Sequence, residues 1–305
     1  MDPTRRNALL ALASLPALAA TKPASALTAG GLLERPIPST GERLPAIGVG
    51  TWQTFDVGAD AAARLALSEV LGVFAKAGGR VIDSSPMYGS SESVTGGLIA
   101  SAGLTGKLFV ATKVWTSGRE EGLRQMETSF KRLRVSRMDL MQVHNLVDAA
   151  VHTKTLEDWK ATGRVRYLGI THYTRSAYAD VERWLKTGKF DFLQINYSLA
   201  ERESQERLLP LAQEMRVAVI ANRPFAEGAM FSRVRGKPLP AWAADLGAAS
   251  WAQFFLKWII SHPAVTCAIP GTGKPEHMAD NLAAGMGVLP DAAMRAKMSA
   301  YFESL

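Results

Sequence analysis

Val81-Ile82-Asp83-Ser84-Ser85-Pro86-Met87-Tyr88-Gly89 decides how the rest of this chain is read. A short apolar run ends in a carboxylate, and a phenol follows five residues later, just past a proline. Two later segments repeat the pattern. Leu108-Phe109-Val110-Ala111-Thr112-Lys113 ends in an amine, and Met138-Asp139-Leu140-Met141-Gln142-Val143-His144 ends in an imidazole. Runs of this kind read as buried strands, and polar groups at their C-terminal tips are where a parallel α/β barrel keeps its chemistry. Asp83, Tyr88, Lys113 and His144 are therefore the candidate catalytic set, able together to tune a phenol into a proton donor.

Outward from these strands the same alternation continues. Leu67, Val70, Leu71 and Phe74 form a helical stripe closed by Gly78-Gly79, and Arg80 to Asp83 is the strand that follows. Leu123, Met126, Phe130 and Leu133 make a second stripe. Ala252, Phe255, Leu256 and Ile259 make another, ended by His262-Pro263. Further strands are expected at Tyr167 to Ile170, Phe192 to Asn196, Val217 to Ala221 and Cys267 to Ile269, with a β-hairpin from Leu33 to Ile47 ahead of the first. Strand and helix alternate without a break in composition, which argues for one domain with a parallel sheet. An open doubly wound sheet would satisfy the same alternation, but Gly48-Val49-Gly50-Thr51-Trp52-Gln53 lacks the third glycine of a pyrophosphate turn.

Composition narrows the class. The 305 residues are 47% hydrophobic and 21% charged, enough for one sizeable core. Cys267, the single cysteine, lies in an apolar run and excludes an internal disulfide; it reads as a buried structural thiol. The five histidines show no metal-ligand spacing, so no metal is expected. Net charge is +7, of which Arg5, Arg6 and Lys22 against Asp2 supply +2. The densest basic stretch, Lys131 to Arg137, sits at an expected helix end, where cations suit the dipole; it reads as a solvated face and does not argue for nucleic acid.

Residues 1–26 read as an export signal separate from the 27–305 domain. Arg5-Arg6 precedes an apolar run to Ala20, then Lys22 and the small-residue site Ala24-Ser25-Ala26. The arginine pair and the lysine point to the twin-arginine export machinery, hence to a periplasmic protein that folds in the cytoplasm first. The apolar run is too short for stable membrane insertion. A second cleavage site stands at Ala17-Leu18-Ala19.

The quoted strand tips, together with Gly48-Val49-Gly50-Thr51-Trp52, Thr112-Lys113-Val114-Trp115, Gln142-Val143-His144, Gln194-Ile195-Asn196 and Ile269-Pro270-Gly271-Thr272, resemble the aldo-keto reductase family from about Leu33 onward. The resemblance implies a (β/α)8 TIM barrel with an N-terminal β-hairpin, reducing aldehydes or ketones by hydride transfer from a nicotinamide cofactor. It maps Asp83, Tyr88, Lys113 and His144 onto the catalytic tetrad. Tyr88 would be the proton donor. Lys113 would lower its pKa, Asp83 would hold Lys113 charged, and His144 would bind the carbonyl oxygen. Trp52, Phe55, Met87, Trp115 and Asn145 would line the substrate pocket. Because the chain stops soon after its last helical stretch, that pocket is expected to be open.

For the cofactor, the resemblance points to Gly50, Thr51 and Trp52, then to Thr171, His172 and Gln194 for the carboxamide. It adds Asn222, Arg223, Pro224 and Phe225 beside the ring, and Gly271, Thr272, Lys274, His277, Asp280 and Asn281 for the adenosine phosphate. The last group is a strand tip, a glycine turn and a proline-started helix, whose free N–H groups suit an anion. Three departures stand out. Gly271 and His277 replace the lysine and arginine that usually grip the 2′-phosphate, leaving Lys274 or Arg233, Arg235 and Lys237 to substitute. His172 replaces asparagine, and Asn222 replaces the stacking aromatic. NADPH/NADP+ remains the expected cofactor, with NADH the alternative. Two rival readings share these residues: a barrel isomerase or lyase using Lys113 as a Schiff base, and a non-catalytic redox-sensing subunit that binds nucleotide without turnover.

Overall fold

A computed structural model of the chain describes residues 31–305. A short antiparallel hairpin, β1 (Glu34–Pro36) and β2 (Arg43–Pro45), leads into eight parallel strands. These are β3 (Val49–Gly50), β4 (Val81–Asp83), β5 (Phe109–Val114), β6 (Met138–His144), β7 (Val165–His172), β8 (Phe192–Asn196), β9 (Ala218–Asn222) and β10 (Val265–Ala268). They pair in sequence order, and a parallel bridge from Ile47 to Ala268 joins the two ends. The result is the (β/α)8 barrel with its N-terminal hairpin. Residues 1–26, the expected export signal, lie outside the described residues.

The helices between strands are α1 (Ala61–Lys76), α2 (Ser91–Ser101), α3 (Arg119–Leu133), α4 (Ala149–Ala161), α5 (Tyr178–Leu185), α6 (Leu208–Glu214), α7 (Ala229–Arg233) and α8 (Trp251–Ile260); α9 (Pro275–Ala283) and α10 (Ala292–Ser304) follow β10. In α1, Asp60 caps the Ala63 N–H, and the buried side is Leu67, Val70, Leu71 and Phe74, the stripe read from the sequence. Helix α8 goes further than its stripe: every residue from Ala252 to Ile260 is buried. The reason is that α9, the loop after it and α10 together cover the outer side: Gln253 bonds Asp280 of α9 and Lys257 donates to the Met286 carbonyl. Phe302 meets Phe255 with ring centres 5.6 Å apart, and the Trp258 indole donates to the Arg295 carbonyl.

Inside the barrel the period of two along each strand sorts residues by height. Val81, Phe109, Ala111, Leu140, Phe192 and Ile220 form an apolar interior that Ile37 and Leu44 of the hairpin close from below. Two residues further along the same strands stand Asp83, Lys113, Gln142, Gln194 and Asn222. The register keeps these tips level, pairing Lys113 with Gln142, His144 with Thr171, Thr171 with Gln194 and Asn196 with Asn222. One glycine is required here. A Cβ on Gly169 would stand 2.9 Å from Cγ of Gln142, so only glycine leaves that side chain room to lie across the interior.

Candidate active site

Lys113 is fully buried, and its Nζ donates to Asp83 Oδ2 at 2.6 Å and to the Ser84 carbonyl at 2.7 Å. Gln142 Nε2 donates to the other Asp83 oxygen at 3.1 Å, which holds the carboxylate from a third strand. The Ser84 hydroxyl accepts from Thr51 at 2.9 Å. The lysine ammonium lies 5.1 Å from the centre of the Tyr88 ring, and that ring meets His144 edge to face with centres 6.2 Å apart. All four members of the candidate set are thus brought together at the C-terminal mouth.

Their ionisation follows from burial and neighbours. Burial alone would pull the Lys113 amine down, but Asp83 and Tyr88 outweigh it and hold the ammonium above its ordinary value. Burial pushes the Tyr88 phenol up, and Lys113 offsets only part of that rise. The net direction corrects the sequence expectation that the lysine would bring the phenol below its usual value. Desolvation outweighs one neighbouring charge. His144 is pushed down to about 3, mainly by burial with Lys113 adding to it, so its imidazole is neutral through the physiological range.

Asp83, Tyr88 and His144 line an open cavity of about 710 Å³, with Lys113 buried behind them. Of the residues named from sequence, Gly50, Thr51, Trp52, Met87, Trp115, Asn145, Thr171, Gln194, Asn222, Arg223, Pro224, Phe225 and Gly271 lie on its wall. Trp52, Met87 and Trp115 are 43%, 43% and 37% exposed, which makes an apolar rim in contact with solvent. Phe55 is elsewhere: it is fully buried in the core behind the wall. His172 is off the wall too. Its Nδ1 accepts the Thr174 N–H at 3.0 Å and its ring stacks on Tyr173, so that nitrogen is committed to the loop.

Past Gly271, which lies on the wall, the β10–α9 segment leaves the cavity. Thr272 Oγ1 accepts the Lys274 N–H, which shapes the turn, and Lys274 and His277 are exposed near the start of α9. Asp280 ties α9 to α8 through Ser250 and Gln253, at 2.6 Å each, and Asn281 is buried. Arg233 and Lys237 are turned to the C-terminus, donating to the carbonyls of Glu303 and Leu305.

Several residues of the site carry no role in the sequence reading. Gln142 precedes His144 by one strand period, and that spacing was a usable signal. Tyr173 directly follows a strand tip and is 52% exposed at the rim. Glu227 and Phe231 reach the wall from the loop after β9, where no local pattern marks them. Glu227 also pairs with Arg223 at 3.0 Å, and Glu201 stands 3.4 Å away on the other side, so this cation is flanked by two carboxylates.

The model of the Aldo/keto reductase family matches residues 46–300. The chain belongs to the aldo/keto reductase family. Its similarity to methylglyoxal reductase YeaE of Escherichia coli (strain K12) is 31% identity over 250 residues, 79% of this chain and 85% of the relative. Among solved structures, an aldo/keto reductase from Klebsiella pneumoniae in complex with NADP and acetate superposes with a TM-score of 0.73 at 27% identity. That match covers 86% of this chain and 93% of the other. A second structure from the same organism, in complex with NADPH, gives 0.72 at 27% identity, covering 86% and 92%. The matched residues include Asp83, Tyr88, Lys113 and His144 and every strand of the barrel.

Proposed function

We propose that the protein reduces aldehydes or ketones to alcohols with NADP(H), and that Tyr88 delivers the proton. The observation that carries this reading is the buried Lys113 ammonium, bonded to Asp83 at 2.6 Å and lying 5.1 Å from the Tyr88 ring at the base of an open cavity. As negative charge develops on a carbonyl oxygen, a phenol beside a fixed cation can surrender its proton with the resulting charge balanced. His144, neutral and next to Tyr88, can donate a hydrogen bond to that same oxygen. Asp83 and Gln142 keep Lys113 in place.

The residues present fit a nicotinamide nucleotide. Gln194 Nε2 and Asn222 Oδ1 are buried at the cavity without hydrogen-bond partners, an arrangement that costs stability unless a ligand satisfies it. A carboxamide offers both an acceptor and a donor. Thr171 donates to Gln194 Oε1 at 3.3 Å, which leaves the Gln194 amide N–H groups for the ligand. Lys274, His277 and the first turn of α9 can receive phosphate. When bound, the nucleotide supplies the hydride. The NADP and NADPH complexes of the Klebsiella relatives support the phosphorylated form.

A Schiff base on Lys113 is disfavoured, because a fully buried, charged amine bonded to two oxygens has no free lone pair. The test is to purify the protein, identify any bound nucleotide, and follow its absorbance against a panel of aldehydes and ketones. Oxidation on addition of carbonyls is expected. A bound nucleotide that no carbonyl oxidises would favour the non-catalytic subunit instead.

The proposal extends to residues 1–26 as a twin-arginine signal that delivers the folded barrel to the periplasm. The arginine pair, the apolar run and the small-residue site support it. Arg5→Lys with Arg6→Lys is expected to leave the protein uncleaved in the cytoplasm, while the parent reaches the periplasm beginning near Leu27. Cell fractionation with N-terminal sequencing decides between these outcomes, and an unprocessed cytoplasmic parent would end the export claim.

A further inference from the structure

A neutral imidazole carries its proton on one nitrogen only, and the partner of the other nitrogen decides which. His144 stands at the end of β6 on the cavity wall, and its Nδ1 lies 3.2 Å from Ser85 Oγ. Ser85 is fully buried, so water does not compete for its hydroxyl. The same oxygen already accepts the Met87 N–H at 3.3 Å. Two orientations of the contact are conceivable. If Nδ1 carried the proton, Ser85 Oγ would accept twice and its own hydrogen would be left buried without an acceptor among the described residues. If Ser85 donates to Nδ1, every group is satisfied, which is the arrangement buried polar atoms adopt.

We propose that Ser85 is a positioning residue that fixes His144 as the Nε2–H tautomer and thereby makes it a hydrogen-bond donor to the substrate carbonyl. Ser85 sits between Asp83 and Tyr88, in the segment whose Ser84 carbonyl receives Lys113. One six-residue stretch therefore presents the proton donor, anchors the lysine that balances its charge and orients the imidazole that holds the substrate. The inference rests on the carbonyl-reduction reading for its consequence, but the tautomer is measurable without turnover.

The experiment is nitrogen-15 NMR of histidine-labelled protein at neutral pH, with the His144 signals assigned by their loss in His144→Asn. In the parent, Nδ1 is expected to resonate as an unprotonated acceptor and Nε2 as a protonated nitrogen. Ser85→Ala is expected to give a mixture of tautomers and to lower kcat for carbonyl reduction by about tenfold, the scale of one hydrogen bond, with nucleotide affinity unchanged. Ser85→Thr, which keeps the hydroxyl, is expected to restore both. If the alanine variant does not fold, Ser85→Cys replaces it, since a thiol is a weak donor and is expected to give the same mixture. A parent with Nδ1 protonated overturns the proposal, as does an alanine or cysteine variant that keeps the Nε2–H tautomer alone. Absence of carbonyl turnover in the parent would instead count against the function, with the tautomer result unaffected.

Discussion

At the N-terminal mouth of the barrel, Tyr167 donates to Glu42 at 2.6 Å and meets Thr40 at 3.0 Å, while Arg166 pairs with Glu42 and Asp139. Lys160 and Asp191 pair nearby at 2.5 Å, and the hairpin covers the apolar interior. At the C-terminal mouth the residue types are the same, a tyrosine, a lysine and a carboxylate, but the bonding is left incomplete. Gln142 Oε1, Asn145 Oδ1, Gln194 Nε2 and Asn222 Oδ1 are buried there without partners. Gln53, Asn145, Leu146, Asp148, Arg223, Ala226 and Glu227, all in loops at this mouth, have left-handed backbones, with φ from 46° to 58°. Each such residue costs on the order of 1–3 kcal/mol. The N-terminal mouth is not free of such features, since Arg35 Nε and Arg80 Nε lack partners and Arg134 and Arg216 are left-handed, but most of them gather at the C-terminal mouth.

The largest break in this comparison is expected from exchanging the phenol at the C-terminal mouth for phenylalanine. Tyr88→Phe should lower carbonyl reduction by at least about a hundredfold, the scale of a lost general acid, with nucleotide affinity kept in a fluorescence titration. Turnover within about threefold of the parent would remove Tyr88 as donor. The pH profile sharpens the same point. Burial holds the phenol above its usual value, so the protonated donor persists and reduction should stay level from about pH 6 to about 9. The reverse oxidation, which needs the phenolate, should rise with pH over that range. A reduction rate already falling between about pH 7 and 9 would mean that Lys113 outweighs burial once nucleotide is bound.

Charge at the phosphate end comes next. His277→Arg adds an exposed cation near the start of α9 and should tighten NADPH by about tenfold while leaving NADH unchanged. The companion site is less suitable, since a Cβ on Gly271 would stand 3.1 Å from the Gly50 carbonyl. Equal gains for both nucleotides in a binding titration would show that the charge does not meet the 2′-phosphate.

On the rim, Trp115→Ala should raise KM for apolar aldehydes by about fivefold with little change in melting temperature, because the side chain is 37% exposed. A large loss of stability would make Trp115 a core residue like Phe55. The smallest effect is expected at the opposite mouth. Tyr167→Phe should leave kcat within about twofold and cost about 1 to 2 kcal/mol in denaturant unfolding, the loss of a hydrogen bond to a charged group. A catalytic defect there would dissolve the contrast between the two mouths.

The sequence by itself determined the strands, the helical stripes and the placing of Asp83, Lys113 and His144 at strand tips, because those are local patterns. A strand buried inside a barrel writes a short apolar run ending in a polar tip, and α1 writes its buried face at helical spacing. What lies on the other side of an element is not written locally, so α8 reads as a stripe until α9 and α10 cover it, and Phe55 reads as a pocket residue until the core claims it. His172 matched a binding position, yet the Thr174 N–H takes its acceptor nitrogen. The direction of the Tyr88 shift was likewise a tertiary matter. Spacing brings Lys113 beside the phenol, but the desolvation that outweighs it comes from residues distant in the chain that meet only when eight strands close.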